Sequence, residues 1–217
     1  LLEAQGGSVF GRIPCLRQQI PRPANQPHRC LSDFIAPEGS GDAIGFFAVT
    51  AGLGLDVLIA EADAQGDDYR AIMLRAIADR LAEAFAERLH ERVRREIWGY
   101  VAKETLENTE LIAEAYQGIR PAPGYPACPD HQGKRLIFER LGVEERLGMR
   151  LTESLAMAPA ASVSGYYFSH ADAQYFGLGR IGRDQIKDYA RRLNMTVAET
   201  ERWLAPSLGY DPDRSRG

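Results

Sequence analysis

The sequence predicts an α+β fold, its length allows one large domain or two small ones, and three observations carry the fold class. The stretch 67–98 contains neither Gly nor Pro and repeats apolar residues every four positions, a helical spacing. The stretches 43–50, 151–157, 162–169 and 174–181 are short and rich in aromatic, Val or Ser residues, which suits strands. Helical and extended stretches follow one another without the βαβ alternation of a doubly wound parallel sheet.

Each element has its own justification. Residues 1–43 are punctuated by Pro21, Pro23 and Pro27 and by a Gly-Ser-Gly at 39–41, so they read as irregular. AIGFFAVT at 43–50 is apolar and ends at Gly52 and Gly54, as a buried strand would. Asp67 and Asp68 give the long helix an acidic start. Its stripe Met73, Ile77, Leu81, Phe85, Leu89, Val93 and Ile97 winds slowly round the axis and is the expected buried face. A second helix is expected at 108–117, with Asn108 or Thr109 as cap and Gly118 as stop, and a third at 133–141, ending at Gly142. The SHADAQ stretch between 162–169 and 174–181 reads as a hairpin turn. The chain then returns to helix at 183–193. Another helix starts at Thr196, where Thr196 and Glu199 make a capping box and Ala205-Pro206 provides a stop.

Composition narrows the function. The 217 residues carry 26 Lys plus Arg against 30 Asp plus Glu, a net charge of −4. An acidic chain lacks the broad basic face that grips nucleic acid. No apolar run approaches the roughly 20 residues of a membrane helix, and the first residues do not resemble a signal peptide. The chain begins at Leu1 rather than Met, which reads as a fragment or a trimmed chain. Cys15, Cys30 and Cys128 are an odd number without a CxxC, so no disulfide framework is expected and a reducing, cytoplasmic setting is. Cys128 and His131 form a CxxxH with no second ligand pair nearby, so no metal site is expected.

Two segments stand out chemically. GIRPAPGYPACPDH at 118–131 holds four prolines, which stiffen a loop and remove backbone donors. Its free carbonyls suit a ligand's amine or adenine, and Arg120 suits a carboxylate. The competing reading is a proline-rich connector between helices. SVSGYYFSHADAQYF at 162–176 brings together Tyr166, Tyr167, Phe168, Tyr175 and Phe176. These rings are either cross-strand core packing or a wall for a flat ligand such as a purine. The charge run ERLHERVRRE at 87–96 reads as a solvated helix face. No GxGxxG, Walker loop, GxSxG or HExxH occurs, nor the DxHxxG of a cobalamin-carrying module.

RPAPGYPACPDH at 120–131, LTESLAM at 151–157, SVSGYYFSH at 162–170, the helix AIADRLAEAFAERLHERVRREIWGY and the tail ERWLAPSLGYDPD resemble the activation domain of cobalamin-dependent methionine synthase. The resemblance covers about residues 31–213, with a shorter echo at 16–19. It divides the chain into a poorly matching irregular segment, 1–30, and the C-terminal portion of the activation domain, 31–217. It implies a C-shaped α+β domain with a twisted antiparallel sheet and a long central helix. Such domains bind S-adenosylmethionine and present its methyl group to cob(I)alamin, so that an oxidised enzyme is reductively reactivated for methionine biosynthesis. The electron comes from flavodoxin or a similar reductant, and the cobalamin sits on another domain. The chain is then a module of a methyltransferase, not a complete enzyme. The alternative is a binding-only module that docks the cobalamin domain or flavodoxin without competent S-adenosylmethionine binding.

Carried over position by position, the resemblance implies that Arg120 holds the ligand's carboxylate. Ala122, Tyr125, Tyr175 and Phe176 would contact the ligand, and Glu83 and Glu114 are further candidates. A further contacting aspartate, upstream of Asp33 in the family, matches no residue here. No catalytic acid or base is expected, because methyl transfer from a sulfonium to cobalt(I) moves no proton. On a strand Tyr175 and Phe176 would point to opposite faces, with Tyr175 towards the ligand and Phe176 in the core.

Overall fold

The computed structural model describes Val9 and residues 11–212. In chain order they form a 3-10 turn (Leu31–Phe34), strand β1 (Gly45–Thr50), helices α1 (Leu55–Ala64) and α2 (Asp68–Arg92), and a π-helical turn (Val93–Ile97). Then come α3 (Asn108–Ile112), α4 (Gly133–Leu141), α5 (Val143–Leu147) and the two-residue strands β2 (Arg150–Leu151) and β3 (Met157–Ala158). β4 (Ser162–Tyr167), α6 (Arg183–Leu193), α7 (Val197–Trp203) and a last 3-10 turn (Ala205–Ser207) complete the fold. This is the expected α+β class, with small antiparallel sheets and one long helix.

The centre is the antiparallel pair β1–β4, in which Phe47 faces Gly165 and Val49 faces Val163. Alternation along the strands divides the core into two layers. Phe47, Val49, Val163 and Tyr167 pack against Ala82, Ala86 and Val93 of the long helical arm. Tyr166 and Phe168 turn the other way, onto Ile137 of α4 and onto Leu31 and Phe34. Gly165 is required at its position: a Cβ there would lie 2.7 Å from the Pro121 carbonyl oxygen and 2.8 Å from Phe47. A third cluster, Leu16, Leu178, Ile181, Ile186, Tyr189, Leu204 and Leu208, joins α6 and the C-terminal turns to the N-terminal segment. The described part of that segment has no helix or strand, as expected, yet Leu16 and Gln18 are buried.

Several expectations need correction. The long helix is α-helical only to Arg92 and ends in the π turn. Its stripe of large apolar residues is not the buried face: Ile77 and Phe85 are each 50% exposed, and Met73, Leu81 and Ile97 are also exposed. The buried seam is Ala71, Ala78, Ala82, Ala86 and His90. A seam of small side chains lets the helix lie close to the sheet, whereas large ones would hold the backbones apart. The helix expected at 108–117 stops at Ile112, and its N-cap is Glu107. The strand expected at 151–157 is a tight antiparallel pair that folds back on itself, with Leu155 at φ 63°. Residues 174–181 form no strand, so SHADAQ is not a hairpin turn; only Ile181 makes a bridge, to Leu208. Helices α1 and α5 were not anticipated. α4, α6 and α7 lie where the caps placed them, and α7 carries the Thr196–Glu199 capping box.

Candidate functional site

The stiff loop after α3 begins as a third strand-like edge on β4. The Ile119 and Phe168 amides exchange hydrogen bonds at 3.0 Å each, and the Tyr166 N–H donates to the Pro121 carbonyl at 2.9 Å. Pro121 can sit on this edge because its missing N–H is not needed there. The chain then coils tightly: Tyr125 N–H donates to Ala122 O, Cys128 N–H to Tyr125 O and Gly124 N–H to Cys128 O. The backbone of Arg120 and Ala122 is thereby positioned by the bonds that their neighbours Ile119 and Pro121 make to the sheet.

A cavity of about 460 Å³ opens beside this loop. Its lining includes Glu83, Glu114, Arg120, Ala122, Tyr125, Tyr175 and Phe176, together with Phe47, Ala127 and Val163. The structure thus brings together all seven candidate residues, drawn from α2, the end of α3, the loop and the 169–182 segment. A second hollow of about 420 Å³ lies across Tyr125 and Pro126, near Leu178 and Arg180, and of the seven contains only Tyr125.

Arg120 is the best-held side chain of the site. Its Nη2 pairs with Glu87 Oε2 at 2.7 Å, and Nη1 donates to the Tyr116 hydroxyl at 2.5 Å. Burial opposes its charge, but Tyr175, Tyr116 and Glu87 outweigh that cost and hold the guanidinium ionised. Its backbone N–H donates to the Tyr175 hydroxyl at 3.0 Å, which joins the loop to the opposite wall.

Behind Arg120 lies a buried polar stack. His90 is fully buried, stacks on Tyr167 at 5.1 Å and meets the Tyr116 ring edge-on. Burial, reinforced by Arg94 and Arg120, pushes its pKa down to about 2, so the imidazole stays neutral. Arg94, turned inward at the π turn, forms a bidentate pair with Glu104 at 2.8 and 2.7 Å and lies 4.1 Å over the Tyr116 ring. The π turn changes the helical phase here, and Val93 and Arg94 are both buried in it.

The other candidates differ in how they are held. The Tyr125 hydroxyl donates to Glu83 Oε1 at 3.5 Å, a long contact at the cavity mouth. Glu114 takes φ 55°, a left-handed conformation uncommon for a residue with a Cβ, as the chain leaves α3. The Tyr175 ring is 37% exposed in the cavity wall. Phe176 also lines the cavity and packs against two of the core clusters, edge-on to Phe34 at 6.4 Å. The expected contrast between the two rings survives in part: Phe176 is the more buried, but both reach the cavity because the segment is not a strand. No group of three or more potential metal ligands occurs among the described residues.

Sequence reasoning missed Glu87, His90 and Arg94 by reading 87–96 as a solvated face. The available signal was their spacing: with Glu83 they stand four, three and four residues apart, one face of a helix. Tyr116, four residues before Arg120, was also missed.

Comparison with known proteins gives this chain a class and then a family. A crystal structure of the MetH reactivation domain bound to AdoHcy matches with a TM-score of 0.90 and 58% sequence identity. The match covers 96% of this chain and 64% of that one, so this chain spans less than two thirds of that relative's length. The family model described as the vitamin B12 dependent methionine synthase activation domain matches residues 2–194. The chain belongs to that activation-domain family.

Proposed function

We propose that this chain binds S-adenosylmethionine in the cavity beside the proline-rich loop and presents its methyl group for reductive reactivation of a cobalamin-dependent methionine synthase. The observation that carries the reading is the convergence of Arg120, Ala122, Tyr125, Tyr175, Phe176, Glu83 and Glu114 on one cavity. That this relative was crystallised with AdoHcy (S-adenosylhomocysteine, the demethylated product) supports the same ligand class. In this reading residues 31–217 are the ligand-bearing portion of the domain and 1–30 a lead-in segment. The protein acts in the cytoplasm, on a partner domain that carries cobalamin, with flavodoxin or a similar reductant.

The residues suit such a ligand. Arg120 takes the amino-acid carboxylate. Aromatic and apolar walls from Phe47, Tyr175 and Phe176 take flat or aliphatic parts. The carboxylates of Glu83 and Glu114 meet the cationic groups. Cob(I)alamin supplies the nucleophile that takes the methyl group. The chain binds and orients the donor. No side chain gives or takes a proton, because the leaving thioether needs none, and placement is the main contribution.

The test is titration calorimetry of the chain with S-adenosylmethionine, followed by single-turnover transfer of labelled methyl to cob(I)alamin on the cobalamin-binding domain. Saturable binding, a raised melting temperature and methyl transfer are expected. Docking to the cobalamin domain or flavodoxin without ligand binding would replace this reading with that of a binding-only module.

A further inference from the structure

The cavity's charge balance carries a second conclusion. Its charged lining, among the described residues, has two carboxylates, Glu83 and Glu114, and one guanidinium, Arg120. That guanidinium is already paired, at 2.7 Å, with Glu87, which does not itself line the cavity. The second oxygen of Glu87, Oε1, is buried and has no hydrogen-bond partner among the described residues. The neighbouring basic groups add no free positive charge: Arg94 is paired with Glu104, and His90 is a neutral buried ring.

We infer that Glu87 is a specificity-determining residue: by cancelling the charge of Arg120 it deepens the net negative charge felt in the cavity beyond that of its lining, so that the site prefers the cationic sulfonium S-adenosylmethionine to the neutral thioether AdoHcy. This rests on the reading of the cavity as an S-adenosyl site. The two ligands differ by one methyl group and one positive charge. At the separations set by a cavity of this size, each uncompensated carboxylate acts on that charge through a partly aqueous medium. Arg120 still binds the carboxylate common to both ligands, so Glu87 alters their ratio more than their sum. Such a preference favours loading of the methyl donor and release of the spent product.

The experiment measures dissociation constants for both ligands, by calorimetry on the full chain, in the wild type and in Glu87→Gln. The wild type is expected to favour S-adenosylmethionine by about tenfold, the order a charge interaction at intermediate dielectric gives. Glu87→Gln, which keeps the shape and removes the charge, should cut that ratio roughly threefold or more. Raising ionic strength should weaken S-adenosylmethionine binding more than AdoHcy binding. Equal affinities in the wild type overturn the inference while leaving the S-adenosyl site standing. Loss of both affinities in parallel in Glu87→Gln, with the ratio unchanged, makes Glu87 a structural prop and also overturns it. Failure of either ligand to bind the wild type removes the site reading and this inference together.

Discussion

Two segments wall the cavity, and they are held in opposite ways. The 118–131 loop is fixed by its backbone, which continues the β4 ladder through Ile119 and Pro121 and then closes on itself at Tyr125 and Cys128. The 169–182 segment forms no strand: backbone bonds to Pro126, Ser207 and Gly209 hold its end at Leu178 and Ile181, and the stretch that lines the cavity is tied by side chains reaching from elsewhere. Gln117 Nε2 donates to Ser169 O at 2.8 Å, Gln18 Nε2 donates to Gly177 O at 2.7 Å, and Phe176 wedges between two core clusters. One backbone bond, Leu178 N–H to Pro126 O at 3.0 Å, links the segments. The difference teaches where precision and adjustment reside. Backbone-fixed residues keep their geometry when a neighbouring side chain changes, whereas a segment pinned by side chains shifts when one pin is removed.

The largest effect should come from the rigid side. Arg120→Ala removes a charge-assisted anchor, and S-adenosylmethionine affinity is expected to fall by about 1.5–3 kcal/mol. It also strands the partly buried Glu87 carboxylate, so the melting temperature should fall as well. Because the loop backbone is fixed independently, amide protection at Gly124 and Tyr166 should stay near wild type in hydrogen exchange. Unchanged affinity in calorimetry would remove Arg120 from the site, and a loop that lost protection would break the contrast between the two walls.

Phe176→Ala probes the other wall. A fully buried Phe would cost about 3–5 kcal/mol. This ring is only partly buried, so roughly 2 kcal/mol of stability is expected. Since the ring both pins the segment and lines the cavity, ligand affinity should fall along with stability. Exchange protection should be lost at Leu178 and Ala173, but not at Gly124. Chemical denaturation paired with titration checks this; a stability loss with intact affinity would mean that the ring serves the core alone.

How far the sequence discloses this arrangement depends on what kind of signal held each part. Capped helices were legible because a cap is local chemistry: Gly142 ends α4, and Thr196 with Glu199 opens α7. The candidate site residues were named through family resemblance, and the loop's stiffness through its prolines. The buried face of α2 was not, because a rule that sends large apolar residues inward cannot foresee a seam of alanines lying against a sheet. The failed strand at 174–181 has a similar cause. Tyr, Phe and Ile suggested a strand, but Gly177 and Gly179 interrupt it, and no neighbouring strand offers a ladder. The polar stack around His90 escaped notice because its partners, Tyr116, Tyr167 and Arg120, come together only in the tertiary structure.

The smallest effect, and the finest test of the comparison, lies where the two walls touch. The Tyr175 hydroxyl accepts the Arg120 backbone N–H at 3.0 Å, a bond that ties the proposed carboxylate anchor to the 169–182 segment. Tyr175→Phe removes the acceptor and keeps the ring. The ring is 37% exposed, so water can take over the orphaned amide, and the stability loss should be about 0.5–1 kcal/mol. Because Arg120 is fixed through Ile119 and Pro121 on either side, its guanidinium should stay in place and ligand affinity should fall by less than about fivefold, under 1 kcal/mol. Tyr175→Ala, which also removes the ring from the wall, should weaken binding more while costing little further stability. If calorimetry instead finds that Tyr175→Phe weakens binding as much as Arg120→Ala, the anchor depends on the 169–182 segment for its position. The two walls would then form one cooperative unit.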